Sequence, residues 1–341
     1  MSNFAAILSS PKAPLEIHPV PNYTPGPTEL LIKNTCIALN AIEAKIAIHN
    51  VIPYTPYLAI LGSTYAGTVS AIGSSVKDFN VGDRVVISKR FDVKGNQYGA
   101  FQRYVVCSDI MISRVPSHID LQIPASLMMN LTCVVGMFSG RLGLERPPLD
   151  GREVVKKAKK ILAYSGSSSF GGLSVGYLKQ AGYTVVTTSS PSNWSFVQGL
   201  GATTIIDHTQ EQEILVKQLI DHGPYDVVVD FVSIASTLAI TGRVVEAQGG
   251  GKLFTMQPGR EELPAGVERV FEPYSESLYE MRNRELQRWV VDEYLPKGIE
   301  SGLIKPLPME KVDGGLKGLN GGLRKMLEGG RRVRYVADPC E

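Results

Sequence analysis

Residues 159 to 193 read KKILAYSGSSSFGGLSVGYLKQAGYTVVTTSSPSN, and the order of elements in this stretch decides the fold. Residues 161–164 are a short apolar run that stops at a small-residue turn, Ser165-Gly166-Ser167-Ser168-Ser169-Phe170-Gly171. Leu173, Val175, Tyr177 and Leu178 then give a helix with small residues on its tight side, and Gly182 is its stop signal. Residues 184–188 are β-branched throughout, as a buried parallel strand should be. A strand–turn–helix of this kind leaves backbone N–H groups free at a helix N-terminus, where a pyrophosphate can sit.

The glycine pattern departs from G-x-G-x-x-G. Gly166 and Gly171 are in place, but Ser168 stands where the middle glycine would be. Serine hydroxyls can also donate to phosphate oxygens, so Gly166, Ser167, Ser168, Ser169, Phe170 and Gly171 are the candidate phosphate cradle. NAD-binding folds place an acidic residue roughly 20 residues further on, bonding the ribose 2′-OH. Here that place is Ser189-Ser190-Pro191-Ser192-Asn193, without a carboxylate. A carboxylate would repel a 2′-phosphate, whereas hydroxyls and an amide would not. Ser189, Ser190 and Asn193 therefore point to NADP(H) over NAD(H), although no Arg or Lys lies in the loop as a clamp.

Outward from this unit, more strands and helices alternate. Residues 204–207 read as a third strand, residues 225–232 as a central strand bounded by aspartates, and residues 252–256 as a further strand after a triple glycine. That alternation means a doubly wound parallel sheet. Upstream, residues 1 to about 115 read as mostly β: 4–8, 29–33, 61–69 with two glycines, 81–87 and 99–106. Many short strands between turn signals suggest a small barrel. From Ile123 the pattern turns helical, with residues 125–138 apolar. After about 270 it is helical again, with Leu278, Met281, Leu286, Trp289 and Tyr294 near helical spacing. Glycine pairs at 314–315 and 321–322 precede a closing strand at 332–336.

The chain has 341 residues, 43% of them hydrophobic, enough for one large or two ordinary cores. A formal charge of +2 is too small to argue for nucleic acid. No window reaches the ~18 consecutive apolar residues of a membrane span, and the first residues lack the pattern of a secretion signal. Cys36, Cys107, Cys133 and Cys340 form no C-x-x-C pair, so neither a disulfide framework nor a zinc site is expected. The expectation is a cytoplasmic enzyme without membrane or nucleic-acid partners.

Several of these segments together resemble the medium-chain dehydrogenase/reductases: Val81-Gly82-Asp83-Arg84-Val85, Gly99-Ala100-Phe101 before Tyr104-Val105-Val106, the Gly166–Gly171 turn, Leu200-Gly201-Ala202 and Gly302-Leu303-Ile304-Lys305-Pro306. The chain looks most like the zinc-independent branch of quinone oxidoreductases and fungal trans-acting enoyl reductases of polyketide pathways. The resemblance implies a GroES-like β-barrel domain from residues 1–122 and 272–341, a Rossmann domain from residues 123–271, and an active site in the cleft. Zinc-using relatives carry a Cys near position 40 and Gly-His-Glu near position 62. Here those places read Leu39-Asn40-Ala41 and Gly62-Ser63-Thr64, and the five histidines show no ligand spacing, so no metal is expected.

Without a Lewis acid, the reaction left within reach is hydride addition to the β-carbon of a conjugated C=C–C=O. The implied function is NADPH-dependent reduction of an enone, free or tethered to the carrier of a polyketide synthase. The alternatives are a non-redox isomerase or cyclase, a binding protein on a reductase fold, or a broad quinone or aldehyde reductase. By resemblance Asn40 and Thr132 line the nicotinamide pocket. Asn40 could equally be a turn residue, and Thr132 could bond its own helix backbone. Lys45 anchors a ribose or polarises a carbonyl, or is a plain surface lysine. Tyr54, Tyr57 and Tyr65 are candidate pocket walls or proton donors, with core packing the default for Tyr65. Val232 joins the implied cofactor contacts, and His208 stands where relatives often carry a Tyr at the 2′-phosphate. Ala41, Glu43 and Phe196 depart from the family pattern, which has Pro, Asp and, in some members, Lys there.

Overall fold

The computed structural model describes residues 2–52, 55–108, 110–150, 152, 154–329 and 332–341. The chain divides into two compact units, Met1–Thr132 with Leu278–Glu341, and Cys133–Ser277.

The Cys133–Ser277 unit is built on a six-stranded, fully parallel sheet. Its order is Thr204–Ile206, Thr184–Thr188, Lys160–Tyr164, Val227–Asp230, Gly251–Thr255, Val267–Val270. The chain winds one way from Lys160–Tyr164 and the other way from Val227–Asp230, so the direction reverses between these neighbours. Central strands buried on both faces are continuously apolar, as Ile161, Leu162 and Ala163 are. Helices Gln212–Asp221 and Ala235–Ala247 cover the sheet with Leu215, Leu219, Leu238 and Val244. Helix Ser169–Gln180 ends in a Schellman arrangement: Gly182 takes φ +91°, Tyr183 N donates to Leu178 O and Gly182 N to Lys179 O. Gly182 is thus the stop that its position indicated. The edge strand Val267–Val270 has no counterpart in the sequence reading, because ValGluArgVal carries no strong β signal.

The other unit has a larger antiparallel sheet. Glu29–Ala38 pairs with Thr64–Ile72, Tyr104–Ser108 and Arg334–Ala337, and the sheet continues through Arg84–Ser88 to Ile112–Arg114. A short sheet of Leu15–Val20, Asn3–Leu8 and Ala59–Ile60 completes the β structure. The strand expected at 61–69 begins only at Thr64, because Gly62 takes φ +98°. Gly67 lies inside it, where a Cβ would sit 2.1 Å from Lys33 O; the glycine marks the close backbone approach that strand glycines signal. The expected strand 99–106 shortens to Tyr104–Ser108, with Gln102 reduced to a single bridge to Ala5.

Two elements differ more. The glycine-rich C-terminal stretch is a 14-residue helix, Gly315–Glu328, whose Leu316, Leu319 and Leu323 join the core with Leu8 and Leu39. The apolar helix Gln122–Arg141 is long and apolar enough by composition to cross a membrane, contrary to the sequence expectation, and 72% of its most apolar window is buried. Burial of that kind also belongs to the core helix of a globular fold.

Candidate active site

The candidate nucleotide site lies along the carboxyl ends of the parallel strands, at the reversal of strand order, where open α/β sheets bind ligands. The turn after Lys160–Tyr164 is built tightly. Ser165 takes φ +76°, Ser165 N donates to Thr188 Oγ1 at 2.9 Å and Gly166 N to Thr188 O at 2.9 Å. A Cβ on Gly166 would lie 2.3 Å from Thr187 Oγ1, and one on Gly171 would lie 2.1 Å from Ser165 O. Both glycines are therefore required by contact with backbone or packed side chain.

Ser168 has a different job from the one its hydroxyl suggested. It is the N-cap of helix Ser169–Gln180: its Oγ accepts from Gly171 N at 3.0 Å and donates to Ser165 O at 2.9 Å. The hydroxyl is spent inside the turn. Helical geometry leaves the N–H groups of Ser169 and Phe170 without intrahelical acceptors. With half-buried Ser167 beside them, they form a cradle that fits a pyrophosphate.

The next loop supplies Ser189, Ser190 and Asn193. Asn193 Nδ2 donates to Ser190 Oγ at 3.0 Å, and the Ser190 and Ser192 hydroxyls lie 3.2 Å apart. Ser189 is buried, and its carbonyl accepts from Trp194 Nε1 at 3.0 Å. No carboxylate belongs to this loop. The nearest along the chain beyond it, Asp207, is turned to Thr209, accepting from its N at 2.8 Å and its Oγ1 at 2.7 Å. Those bonds hold its carboxyl below the ordinary range. His208 follows it, exposed.

Across the strand reversal, the Phe170 and Phe231 rings stand 5.1 Å apart. Val232 belongs to a pinned loop. Its N, and that of Ser233, donate to Asp230 Oδ1 at 2.9 and 2.8 Å, and its carbonyl accepts from Gln257 Nε2 at 2.9 Å. Ser233 is left-handed at φ +58°. Its Oγ donates to Asp230 O at 2.6 Å and accepts from Met256 N at 2.8 Å. Asp230 is fully buried, and burial pushes its carboxyl up against the pull of these bonds. In the sequence Asp230 reads only as a strand boundary.

In the other unit the structure gathers polar groups around Asn40. Asn40 N donates to Glu43 Oε2 at 2.6 Å, an N-x-x-E capping pattern that starts the turn Ala41–Ala44. The Asn40 side chain bonds Glu43 as well, its Nδ2 lying 3.4 Å from Glu43 Oε1, and reaches further partners. Its Nδ2 donates to Ala38 O at 3.3 Å and Thr64 Oγ1 at 3.2 Å, and its Oδ1 accepts from Arg334 Nη2 at 2.8 Å. Asn40 is thus both the turn residue and a member of a buried network. Burial pushes the Glu43 carboxyl up; bonds from Ser63 and Asn40 and the Arg334 charge oppose it. Burial lowers Arg334 to about 10, with Glu43 opposing. Lys45 is half-buried, and burial lowers its ammonium.

The remaining candidates lie apart from this network. Tyr65 points to the opposite side of its strand from Thr64, as the two-residue period requires. It is 1% exposed, packed with Leu30, Ile32 and Val69, and its hydroxyl meets the Cys107 thiol. It is a core residue. Thr132 is buried, and its Oγ1 donates to Met129 O at 2.8 Å, one turn back in its own helix. Tyr57 OH donates to Asn50 Oδ1 at 3.0 Å, and Tyr54 lies outside the described residues. Among the described residues no three His, Cys, Asp or Glu side chains converge as a metal-binding set.

Glu43, Thr64 and Arg334 were not singled out as site residues in the sequence. An Arg within a strand whose four residues are all buried, as in Arg334–Ala337, is the signal that could have found one of them.

Residues 26–117 match the alcohol dehydrogenase GroES-like domain. A zinc-binding alcohol dehydrogenase domain-containing protein, cipB, of Emericella nidulans is 29% identical over 94% of this chain and 91% of its own length. The trans-enoyl reductase himH of Aspergillus japonicus is 28% identical over 92% of this chain and 89% of its own. Among solved structures, a quinone oxidoreductase of Pseudomonas syringae superposes with a TM-score of 0.76 at 20% identity, covering 98% of this chain and 100% of its own. The chain thus carries a GroES-like domain and shares the fold of a quinone oxidoreductase, and together with these relatives this supports an enoyl-reductase-like protein similar to the medium-chain dehydrogenase/reductases.

Proposed function

We propose that the protein reduces a conjugated C=C of an enone or enoyl thioester with NADPH, without a metal, in a polyketide or related pathway. The observation that carries this reading is the chemistry at Asn40 and Ser63-Thr64. Zinc-using relatives carry ligands at these positions. Here an amide, hydroxyls and a guanidinium occupy the same ground, with Asn40 bonded to both Thr64 and Arg334. Such groups donate hydrogen bonds to a developing oxyanion and are poor zinc ligands. The trans-enoyl reductase name of a relative matching most of the chain supports the enone class, and a synthase presenting a carrier-tethered chain is the corresponding partner.

A bound nicotinamide would supply the hydride. The chain's own part is to hold and orient. Gly166, Ser167, Ser169, Phe170 and Gly171 would take the pyrophosphate, with Ser168 fixing the turn. Ser189, Ser190, Asn193 and His208 would take the adenine ribose and its 2′-phosphate. Val232 would border the nicotinamide, and Asn40 and Lys45 are the proposed polar groups of the other unit for the reaction.

The test is thermal stability with NADPH against NADH, followed alongside by Trp194 fluorescence. Trp194 bonds Ser189 and is 41% exposed, so it reports on the ribose loop. A ligand bound only to the folded state adds RT ln(1 + [L]/Kd), about 2.7 kcal/mol at a hundredfold excess over Kd. The expected result is a shift with NADPH well beyond that with NADH, and oxidation of NADPH when an enone is added. Enone turnover without cofactor oxidation would overturn the reading in favour of a non-redox catalyst.

A further inference from the structure

Two loops leave the carboxyl edge of the parallel sheet on either side of the strand reversal, one after Lys160–Tyr164 and one after Val227–Asp230. Each holds a serine in left-handed backbone, Ser165 at φ +76° and Ser233 at φ +58°. Such a conformation at a non-glycine residue persists only where its surroundings over-determine it. For the second loop the determining group is Asp230. Its fully buried carboxyl accepts from Val232 N at 2.9 Å and Ser233 N at 2.8 Å through Oδ1. Its Oδ2 lies 3.3 Å from Thr241 Oγ1, and Thr237 also bonds the carboxyl. Both threonines belong to the helix Ala235–Ala247, so one side chain ties the loop to the helix that follows it.

Phe231 is carried between Asp230 and the first pinned N–H. Its own N donates to Tyr164 O at 3.3 Å, and its ring is 8% exposed. The Phe231 and Phe170 rings stand 5.1 Å apart at 55°, a tilt and spacing that aromatic pairs favour. Phe170 is the second residue of the helix Ser169–Gln180, and its N–H is one of those without an intrahelical acceptor. A contiguous path therefore runs from the Asp230 carboxyl through the pinned backbone and the Phe231 ring to the phosphate cradle. All of it lies within the Cys133–Ser277 unit. Packed paths of this kind carry energetic coupling, and a site held in its binding geometry beforehand loses less ordering free energy when a ligand arrives.

We propose that Asp230 is a positioning residue for the dinucleotide: by holding Val232 N and Ser233 N it sets the Phe231 ring against Phe170 and preorganises the cradle. This rests on the reading that the cradle takes a dinucleotide. Asp230 acts through the loop and touches no ligand. What the turn requires of it is an oxygen acceptor rather than a charge. Burial pushes the carboxyl up, in keeping with that requirement.

The test uses the full chain as wild type, Asp230→Asn, Asp230→Ala and Phe231→Leu, each studied well below its own melting temperature. The first readout needs no ligand: amide hydrogen exchange in the turn at 165–171. Asp230→Ala and Phe231→Leu should speed exchange there, and Asp230→Asn, which keeps the acceptor, should not. Wild-type exchange at 165–171 in both Asp230→Ala and Phe231→Leu overturns the coupling and leaves the dinucleotide reading standing. The second readout is the Kd of NADPH by titration calorimetry. Asp230→Ala and Phe231→Leu should each raise it about tenfold, within the range that mutations along a coupled path reach, while Asp230→Asn stays near wild type. A residue that only supports the fold lowers the melting temperature without moving the Kd of the folded protein, so wild-type affinity in Asp230→Ala overturns the role of Asp230. Should Asp230→Ala not fold, Phe231→Leu decides through the ring contact: wild-type exchange and affinity there overturn the proposal. A wild-type protein that binds neither NADPH nor NADH overturns the dinucleotide reading, and this proposal with it.

Discussion

At the scale of single residues, Ser168 and Asp230 each hold a turn at the carboxyl edge of the parallel sheet through their own side-chain oxygens. Ser168 was visible as a departure from the glycine pattern. That its hydroxyl caps the helix and is used up there follows from the turn closing on Ser165 O and Gly171 N. Asp230 stood at the end of an apolar run and gave no sign of being buried. Its raised carboxyl makes a testable statement. A group whose folded pKa lies above its unfolded value binds more protons when folded, so its stabilising contribution is present below about pH 3.9 and is lost as pH rises through the folded value. Asp230→Asn keeps an acceptor for Val232 N and Ser233 N but does not titrate. Denaturant unfolding between the ordinary carboxylate range and neutrality should show wild type losing stability relative to Asp230→Asn as pH rises. Parallel profiles for the two proteins would mean that Asp230 ionises normally.

At the scale of elements, strands flanking the glycine–serine turn and helices with clear periodicity were legible. The element that punctuation hid is the helix Gly315–Glu328. Four glycines mark it as a loop by propensity, since each costs about 1 kcal/mol against Ala in a helix interior. Tertiary packing overrides that cost. Gly322 is needed where a Cβ would meet Leu39 Cδ1 at 2.7 Å and Val312 Cγ2 at 2.9 Å, while Leu316, Leu319 and Leu323 fill the core. Leu319 is fully buried, so Leu319→Ala should destabilise the protein by about 2–5 kcal/mol, measured by chemical denaturation. A loss under about 1 kcal/mol would fit a helix that contributes little to the core.

At the scale of the whole molecule, each unit carries its own chemistry, and ligand binding should separate them. Amide hydrogen exchange with and without NADPH is the measurement. Protection should rise in the turn at 165–171, the loop at 189–194 and the pinned loop at 231–234, all on the carboxyl edge of the parallel sheet. The helix Gly315–Glu328 should change least. Equal protection throughout both units would argue against a nucleotide seated on that edge.

The amino-acid sequence by itself determined the order of strands and helices around Gly166, the β-barrel and doubly wound character of the fold, and a loop at 189–193 without a carboxylate. All of these are carried by neighbouring residues through periodicity, turn chemistry and spacing. Only the tertiary structure decided which polar groups are withdrawn from water and which meet. Asn40, Thr64 and Arg334 come from three separate segments, and their network exists because strand pairing brings those segments together. Desolvation depends on what surrounds a group in space, so the burial of Glu43 and Arg334 is decided by packing and not by their neighbours along the chain.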